Sequence, residues 1–288
     1  MTSGLPAVPS SAATVRGAGD ERVHAKSRIV VQSLVKRFGS GSGELVAVDK
    51  VSFEVRQGEF VALLGPSGCG KSTILNMVAG LLPRSEGNIL IDDDPVEPGQ
   101  VNSKVGYVFQ RDTVFPWRTV EANIGYGLEI AGMAKPLRAE RVAKSIETAG
   151  LAGFAQSFPR TLSGGMRQRV ALMRTLILEP EILLMDEPFG SLDTHTKLEM
   201  HETLLEIWER ERQTVLFVTH DLGEALTLAS RVILLSARPG HLKDDFDVPF
   251  LRPRDPVELR ETAEFGRLYS HIWHSLGEEF RRTKVGGA

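Results

Sequence analysis

The sequence predicts an α/β fold: a mostly parallel sheet with helices on its faces, preceded by an antiparallel β layer and interrupted by a helical segment. Three observations carry this prediction. First, FVALLG (60–65) is continuously apolar, as a strand covered on both faces is, and a glycine-rich turn and the helical STILNMVAGLL follow it. Second, after residue 180 strand-like and helix-like segments alternate, which is the pattern of parallel strands joined by helices. Third, RIVVQSLVKRF and LVAVDKVSFEVRQGEF alternate apolar and polar residues, with Val51, Phe53 and Val55 on one face, as half-buried antiparallel strands do.

Taken in order, residues 1–27 are rich in Ser, Ala, Gly and Pro and are predicted to be a disordered tail. They lack the unbroken apolar stretch of a signal peptide. GSGSGE joins the first two strands as a flexible turn. NILID and VGYVFQ are strand-like. From about 111 to 178 the text is helical; RAERVAKSIETAGL places Val142, Ile146 and Ala149 on one side, and MRQRVALMRTLILEP ends at Pro180. EILLMDEP, TVLFVTH and RVILLS are the later strands, separated by HTKLEMHETLLEIWERER and LGEALTLAS. Beyond Pro253 a helix carries Phe265, Leu268, Tyr269, Ile272, Trp273, Leu276 and Phe280 on one stripe. Packing on the protein's own core is the preferred reading of that stripe, with partner binding the alternative.

The totals set the class. The chain has 288 residues, enough for one large domain or a domain with a sub-domain. Its 42% hydrophobic and 25% charged residues are those of a globular protein. A net charge of −3 argues against a nucleic-acid binder, which shows a basic excess or stripe. One cysteine excludes an internal disulfide framework and suits a reducing compartment. No apolar run is long enough to cross a bilayer. A cytoplasmic protein, with membrane attachment only through a partner, is the expectation.

The turn is GPSGCGKST, residues 65–73, and its spacing from Gly65 to Ser72 is that of a phosphate-binding loop. Several backbone N–H groups must approach phosphate oxygens together, and side chains would block them. Glycines at 65, 68 and 70 remove that block, while Pro66, Ser67 and Cys69 shape the loop. A helix opening near Lys71 adds the positive end of its dipole. Lys71 can reach the β- and γ-phosphates, the Ser72 hydroxyl can ligate Mg²⁺, and Thr73 continues the loop into the helix. The buried strand before it and the helix after it supply the context the motif requires, so the sequence predicts a P-loop NTPase core. ILLMDE (182–187) ends a strand in an acidic pair, where open α/β sheets bind ligands. Asp186 would hold Mg²⁺ and Glu187 would polarise an attacking water.

LSGGMRQR (162–169) completes a set. With the phosphate loop and ILLMDE, it resembles the signature of the ATP-binding-cassette (ABC) ATPases over nearly all of residues 28–250. Met166 stands where the family usually carries Gln, as in some of its branches. The resemblance implies an ATPase domain at 28–252 with a helical sub-domain at about 111–178, followed by a C-terminal extension at 253–288. It further implies that two copies stack head to tail around two ATP molecules. Ser163, Gly164 and Gly165 of one copy would face the phosphate loop of the other. Gln110 resembles the family's glutamine that joins core to helical sub-domain and senses Mg²⁺ and water. Asp193 resembles the aspartate of the loop between the two sites, and His220 the histidine at the γ-phosphate. Phe38 falls where the family stacks an aromatic on adenine, though a core role for this ring stays open.

The chain resembles bacterial importers, with a single cassette and a separate permease. RDTVFPWRTVEANIGYGLE (111–129) and LSARPGHLKDDFDVPFLRPRD (235–255) resemble the nitrate/sulfonate/taurine uptake branch. In that branch Pro116 and Trp117 lie near the groove for the permease's coupling helix; packing inside the helical sub-domain is an equal alternative for Phe115 and Trp117. The resemblance implies permease subunits, a periplasmic solute-binding protein as an indirect partner, and a peripheral place on the cytoplasmic face of the membrane. Nitrate, sulfonates, taurine, bicarbonate-like anions and pyrimidine precursors all stay open as solutes. A cassette acting in translation or repair would show two cassettes, a basic surface or coiled-coil arms, and a small-molecule kinase would not need LSGGMRQR.

Overall fold

A computed structural model describes residues 26–39, 43–111, 113–190 and 192–285. Residues 1–25 of the predicted tail and residues 40–42 of the predicted turn lie outside them. In chain order the elements are β1 (Ser27–Phe38), β2 (Leu45–Arg56), β3 (Phe60–Leu64), α1 (Lys71–Val78), β4 (Glu86–Ile91), β5 (Asp94–Pro95) and β6 (Val105–Val108). The helices α2 (Val120–Ile124), α3 (Tyr126–Ile130), α4 (Lys135–Thr148) and α5 (Gly164–Leu176) follow. Then come β7 (Ile182–Asp186), α6 (Thr194–Glu211), β8 (Thr214–Thr219), α7 (Leu222–Leu228), β9 (Arg231–Leu235), β10 (Leu242–Asp247), α8 (Pro256–Glu261) and α9 (Ala263–Val285).

Two sheets form. The first has order β2-β1-β4-β5, is antiparallel throughout, and buries Val51, Phe53 and Val55 while Ser52 and Glu54 face out. The second has order β10-β9-β3-β8-β7-β6; β9, β3, β8, β7 and β6 are parallel and β10 pairs antiparallel at the edge.

Every residue of β3, β7 and β8 is buried, and alternate residues serve opposite faces. Phe60, Ala62, Leu64, Leu183, Met185, Val215 and Phe217 pack with α5, α6, α7 and α9. Val61, Leu63, Ile182, Leu184, Leu216 and Val218 pack with α1 and the inner face of the antiparallel sheet. The helix that follows the phosphate loop is thus clamped between two sheets, which holds the loop at the C-terminal ends of β3, β7 and β8.

The helical segment begins later than the sequence suggests. Residues 109–111 and 113–119 are irregular and α2 starts at Val120. Pro116 interrupts helix there. Asn123, fully buried, then holds the turn: its Oδ1 accepts from Phe115 N at 2.7 Å, and its Nδ2 donates to the carbonyls of Phe115, Arg118 and Thr119 at 3.1, 3.0 and 3.0 Å. The two aromatics of this turn, with ring centres 5.6 Å apart, differ in burial. Phe115 is half-buried against Tyr126, beneath the Arg174 guanidinium, whereas Trp117 is 72% exposed.

The C-terminal stripe divides in the same way. Phe265, Ile272 and Leu276 join the core on the α7 side of the sheet. Trp273 and Phe280, rotated away from that line, are 47% and 38% exposed, and Trp273 stacks on Tyr269. Glu279 is buried on α9; its Oε2 accepts from Ala237 N at 2.9 Å and its Oε1 pairs with Lys243 Nζ at 3.0 Å. No helix among the described residues is long and apolar enough to cross a membrane.

Because Leu276 is fully buried in the core, Leu276→Ala is expected to cost about 2–5 kcal/mol of unfolding free energy. Trp273→Ala is expected to cost clearly less, and urea unfolding of the two variants checks the ordering.

Candidate active site

The loop 65–70 turns sharply out of β3. Gly70, at φ 101, takes a left-handed conformation immediately before Lys71, the first residue of α1. A Cβ there would lie 2.8 Å from Val48 Cγ2 and 3.0 Å from Ala47 O, so only glycine fits. Lys71 is buried, and its Nζ donates to the carbonyls of Gly65 and Pro66 at 2.8 and 3.0 Å, folding the ammonium back over the loop. Cys69 is buried within the loop; burial pushes its thiol pKa up, so it serves as packing and not as a reactive thiolate.

The loop forms one wall of a cavity of about 370 Å³. Phe38, Ser67, Gly68, Gly70, Lys71, Ser72, Thr73, Gln110 and Glu187 line it, together with Leu45, Ala47 and Arg238. Its volume suits a small-molecule ligand. Phe38 is 39% exposed, with Lys36 Nζ 4.9 Å from its ring centre, so it is a rim residue and not a core one. That places an aromatic face at one end and the phosphate loop beside it.

Behind the loop, the end of β7 brings Glu187 to the cavity and Asp186 to Ser72. The Ser72 hydroxyl donates to Asp186 Oδ1 at 2.7 Å. A hydroxyl and a single carboxylate are oxygen donors of the type that hold Mg²⁺ when phosphates and water supply its other ligands. No cluster of three or more His, Cys, Asp or Glu side chains that could cage a metal occurs among the described residues. Burial pushes the Asp186 carboxyl above its ordinary range; the Ser72 hydrogen bond opposes this, the Glu187 charge adds to it, and Lys71 opposes it.

Glu187 is held in a strained conformation at φ 43, with its N–H donating to Val218 O of β8 at 2.9 Å. Its Oε2 lies 2.9 Å from His220 Nδ1 and accepts from Gln110 Nε2 at 3.3 Å. Three residues from three strand ends therefore meet on one carboxylate oxygen.

Ser163, Gly164, Gly165 and Asp193 belong to a different patch. Among the described residues that line the cavity, none of these four occurs. Ser163 caps α5, accepting from Met166 N at 3.2 Å. A Cβ on Gly165 would meet Thr196 Cγ2 at 3.0 Å and Leu192 Cδ2 at 3.6 Å, so the glycine lets the start of α5 sit against the start of α6. Asp193 caps α6 through Thr196, whose hydroxyl and N–H bonds hold its carboxyl below its ordinary range. The signature and Asp193 thus form one surface, separate from the cavity.

Sequence reasoning missed Arg238. It lines the cavity and its Nε donates to Gly68 O at 3.2 Å. The loop that carries it is fixed by Glu279 at Ala237, and by Gly240, whose Cβ would fall 2.0 Å from Cys69 O. A lone Arg in a Pro-Gly turn gives no local sign of such a contact.

One consequence is testable through Asp186. Its raised pKa means that ionisation costs the folded state more than the unfolded chain, so its contribution to stability is full below the ordinary value near 3.8 and is lost as pH rises through the folded value. Asp186→Asn, which keeps an acceptor for Ser72, is expected to match the parent's melting temperature in acid and to exceed it at neutral pH without added nucleotide or Mg²⁺. Equal melting temperatures across the pH range would contradict this.

Comparisons with known proteins agree with the geometry. A profile described as ABC transporter matches residues 48–190. A putative ATP-binding protein of Brucella abortus is 44% identical over 259 residues, covering 90% of this chain and 96% of its own. The taurine import ATP-binding protein TauB of Rhizobium johnstonii is 44% identical over 240 residues, covering 82% and 91%. Among solved structures, the ATP-binding cassette MJ0796, in a dimeric post-hydrolysis state bound to ADP and Pi, aligns with a TM-score of 0.69 at 30% identity, covering 77% of this chain and 100% of that one. With the two-sheet architecture and the phosphate loop at its strand ends, these similarities establish that the chain belongs to the ABC transporter family, as one of its ATP-binding cassettes.

Proposed function

We propose that this chain is the ATP-hydrolysing subunit of a bacterial importer for a small anion of the sulfonate class, taurine among them, acting through a separate permease. The observation that carries the hydrolytic part is the meeting of His220 and Gln110 on the Glu187 carboxylate, with Glu187 and Gln110 lining the cavity walled by Lys71 and Ser72.

In this reading Phe38 stacks on adenine and the N–H groups of residues 65–73 bind the phosphates with Lys71. Ser72, Asp186 and Gln110 would hold Mg²⁺, which screens the phosphate charge. Glu187 accepts the proton of a water in line with the γ-phosphoryl group; the new P–O bond forms as the bond to ADP breaks. His220 stabilises the charge spreading on the γ-phosphoryl oxygens and fixes the Glu187 rotamer. Ser163 and Gly165 of a second copy close the site from the other side, with Asp193 at the junction. Their position on a surface of their own supports this, as does the dimeric state of the MJ0796 cassette.

The importer assignment rests on the similarity to the taurine import protein and on the phrases at 111–129 and 235–255. A further support is Trp117, which is 72% exposed on the turn that the Asn123 hydrogen bonds to Phe115, Arg118 and Thr119 hold. An exposed aromatic suits contact with a permease segment. The periplasmic solute-binding protein would then meet the permease and not this chain.

Glu187→Gln is expected to lower ATP turnover by about 100-fold or more while leaving ATP binding and an ATP-held dimer detectable by gel filtration. Unchanged turnover would remove Glu187 from the role. For the solute, a deletion strain is expected to fail on taurine or an alkanesulfonate as sole sulfur source and to be restored by the parent gene but not by Lys71→Ala. Normal growth there, with failure on nitrate as sole nitrogen source, would move the assignment to nitrate.

A further inference from the structure

The Asp193 loop and His220 lie in different motifs, yet a set of contacts centred on the buried Glu224 and Thr219 connects them. Asp193 O accepts from Lys197 N at 2.9 Å in the first turn of α6. The Lys197 side chain crosses from α6 to α7, where its Nζ lies 3.0 Å from Glu224 Oε1 and 3.9 Å from Asp221 Oδ2. The Glu224 side chain is only 3% exposed. Its Oε2 accepts from the Thr219 hydroxyl at 2.7 Å. Thr219 Oγ1 in turn accepts from Asp221 N at 3.0 Å, so the hydroxyl spans the backbone on either side of His220. Asp221 Oδ1 closes the turn by accepting from Gly223 N and Glu224 N at 2.8 and 3.2 Å. His220 then reaches Glu187 at 2.9 Å.

A carboxylate this buried is costly unless paired and hydrogen-bonded, and here both conditions are met by groups from two different elements. A helix cap alone would need neither Lys197 nor Glu224, because Asp221 already caps α7. We infer that Lys197, Glu224 and Thr219 are positioning residues that fix the backbone at His220, hold its ring at Glu187, and tie it to the loop bearing Asp193. The inference rests on the proposed ATPase reading and deepens it. A movement of the Asp193 surface, such as the arrival of a second copy, would pass through α6 and the Lys197–Glu224 pair to the residue that orients Glu187. Neither Lys197 nor Glu224 touches nucleotide in this account.

The test uses the purified full chain. Thr219→Val removes the hydroxyl at nearly constant shape, and Thr219→Ser keeps it. Glu224→Gln keeps an acceptor for Thr219 but removes the ion pair, leaving Lys197 free to turn to solvent. Steady-state ATP turnover, nucleotide affinity and melting temperature are measured for each. Thr219→Val is expected to lower kcat about tenfold with KM and nucleotide affinity within about twofold, and Thr219→Ser to retain parental kcat. Glu224→Gln is expected to lower kcat in the parent but to add little in the Thr219→Val background, because both act along one route. An unchanged kcat in Thr219→Val and Glu224→Gln, or independent multiplicative losses in the double variant, would overturn the inference while parental, Lys71-dependent turnover upheld the ATPase reading. A parent chain without ATP turnover would overturn both.

Discussion

The hydrogen bond from Ser72 to Asp186 joins the two halves of the site, and much else is arranged so that it can form. Ser72 lies in the first turn of α1, which follows β3; Asp186 closes β7, which lies two strands away across β8. The two side chains meet only because three fully buried parallel strands stop at the same level and α1 is clamped between two sheets. The cost of the arrangement is visible locally. Asp186 is desolvated enough to have its carboxyl pKa raised, and Glu187 occupies a left-handed conformation that a side chain of its kind rarely adopts. Both penalties fall at residues to which the proposed reading gives the chemistry, the kind of place where strain is tolerated.

The same strand ends explain why so few residues carry the site. Gln110 follows β6, Glu187 follows β7 and His220 follows β8, so their convergence on one carboxylate oxygen comes from strand order, not from any one loop. Ser163, Gly165 and Asp193 share a second surface because Gly165 lets α5 abut α6. On the proposed reading, nucleotide contacts are divided over these two surfaces, and one chain has the form of half an active site. On the proposed reading, a second copy supplies the other half, and binding of ATP is at once substrate recognition and assembly.

Much of this was readable in the sequence, for physical reasons that differ by residue. The unbroken apolarity of 60–64, 182–185 and 215–218 reports burial on both faces, and the glycines at 65, 68 and 70 report a tight turn that leaves its backbone open to approach. Periodicity also located α9 but placed Trp273 and Phe280 on the same stripe as Ile272 and Leu276. A 23-residue helix covers its neighbours with a narrower line than a generous stripe allows, and the outer aromatics fall off it. Phe38 needed coordinates, since a ring at a strand end reads equally as core or rim. Arg238, Glu279, Lys197 and Glu224 were not readable at all. Their partners lie in other elements, up to 170 positions away for Arg238 and Gly68, and no local pattern marks a side chain that acts across the fold.

The account stands on the claim that one chain holds an incomplete ATPase site. ATP turnover per chain, followed over about a hundredfold range of chain concentration with the oligomeric state recorded by sedimentation at each point, tests this most directly. The account predicts that turnover per chain rises with concentration in step with the dimer fraction. A per-chain rate that stays constant while the protein is monomeric would contradict it.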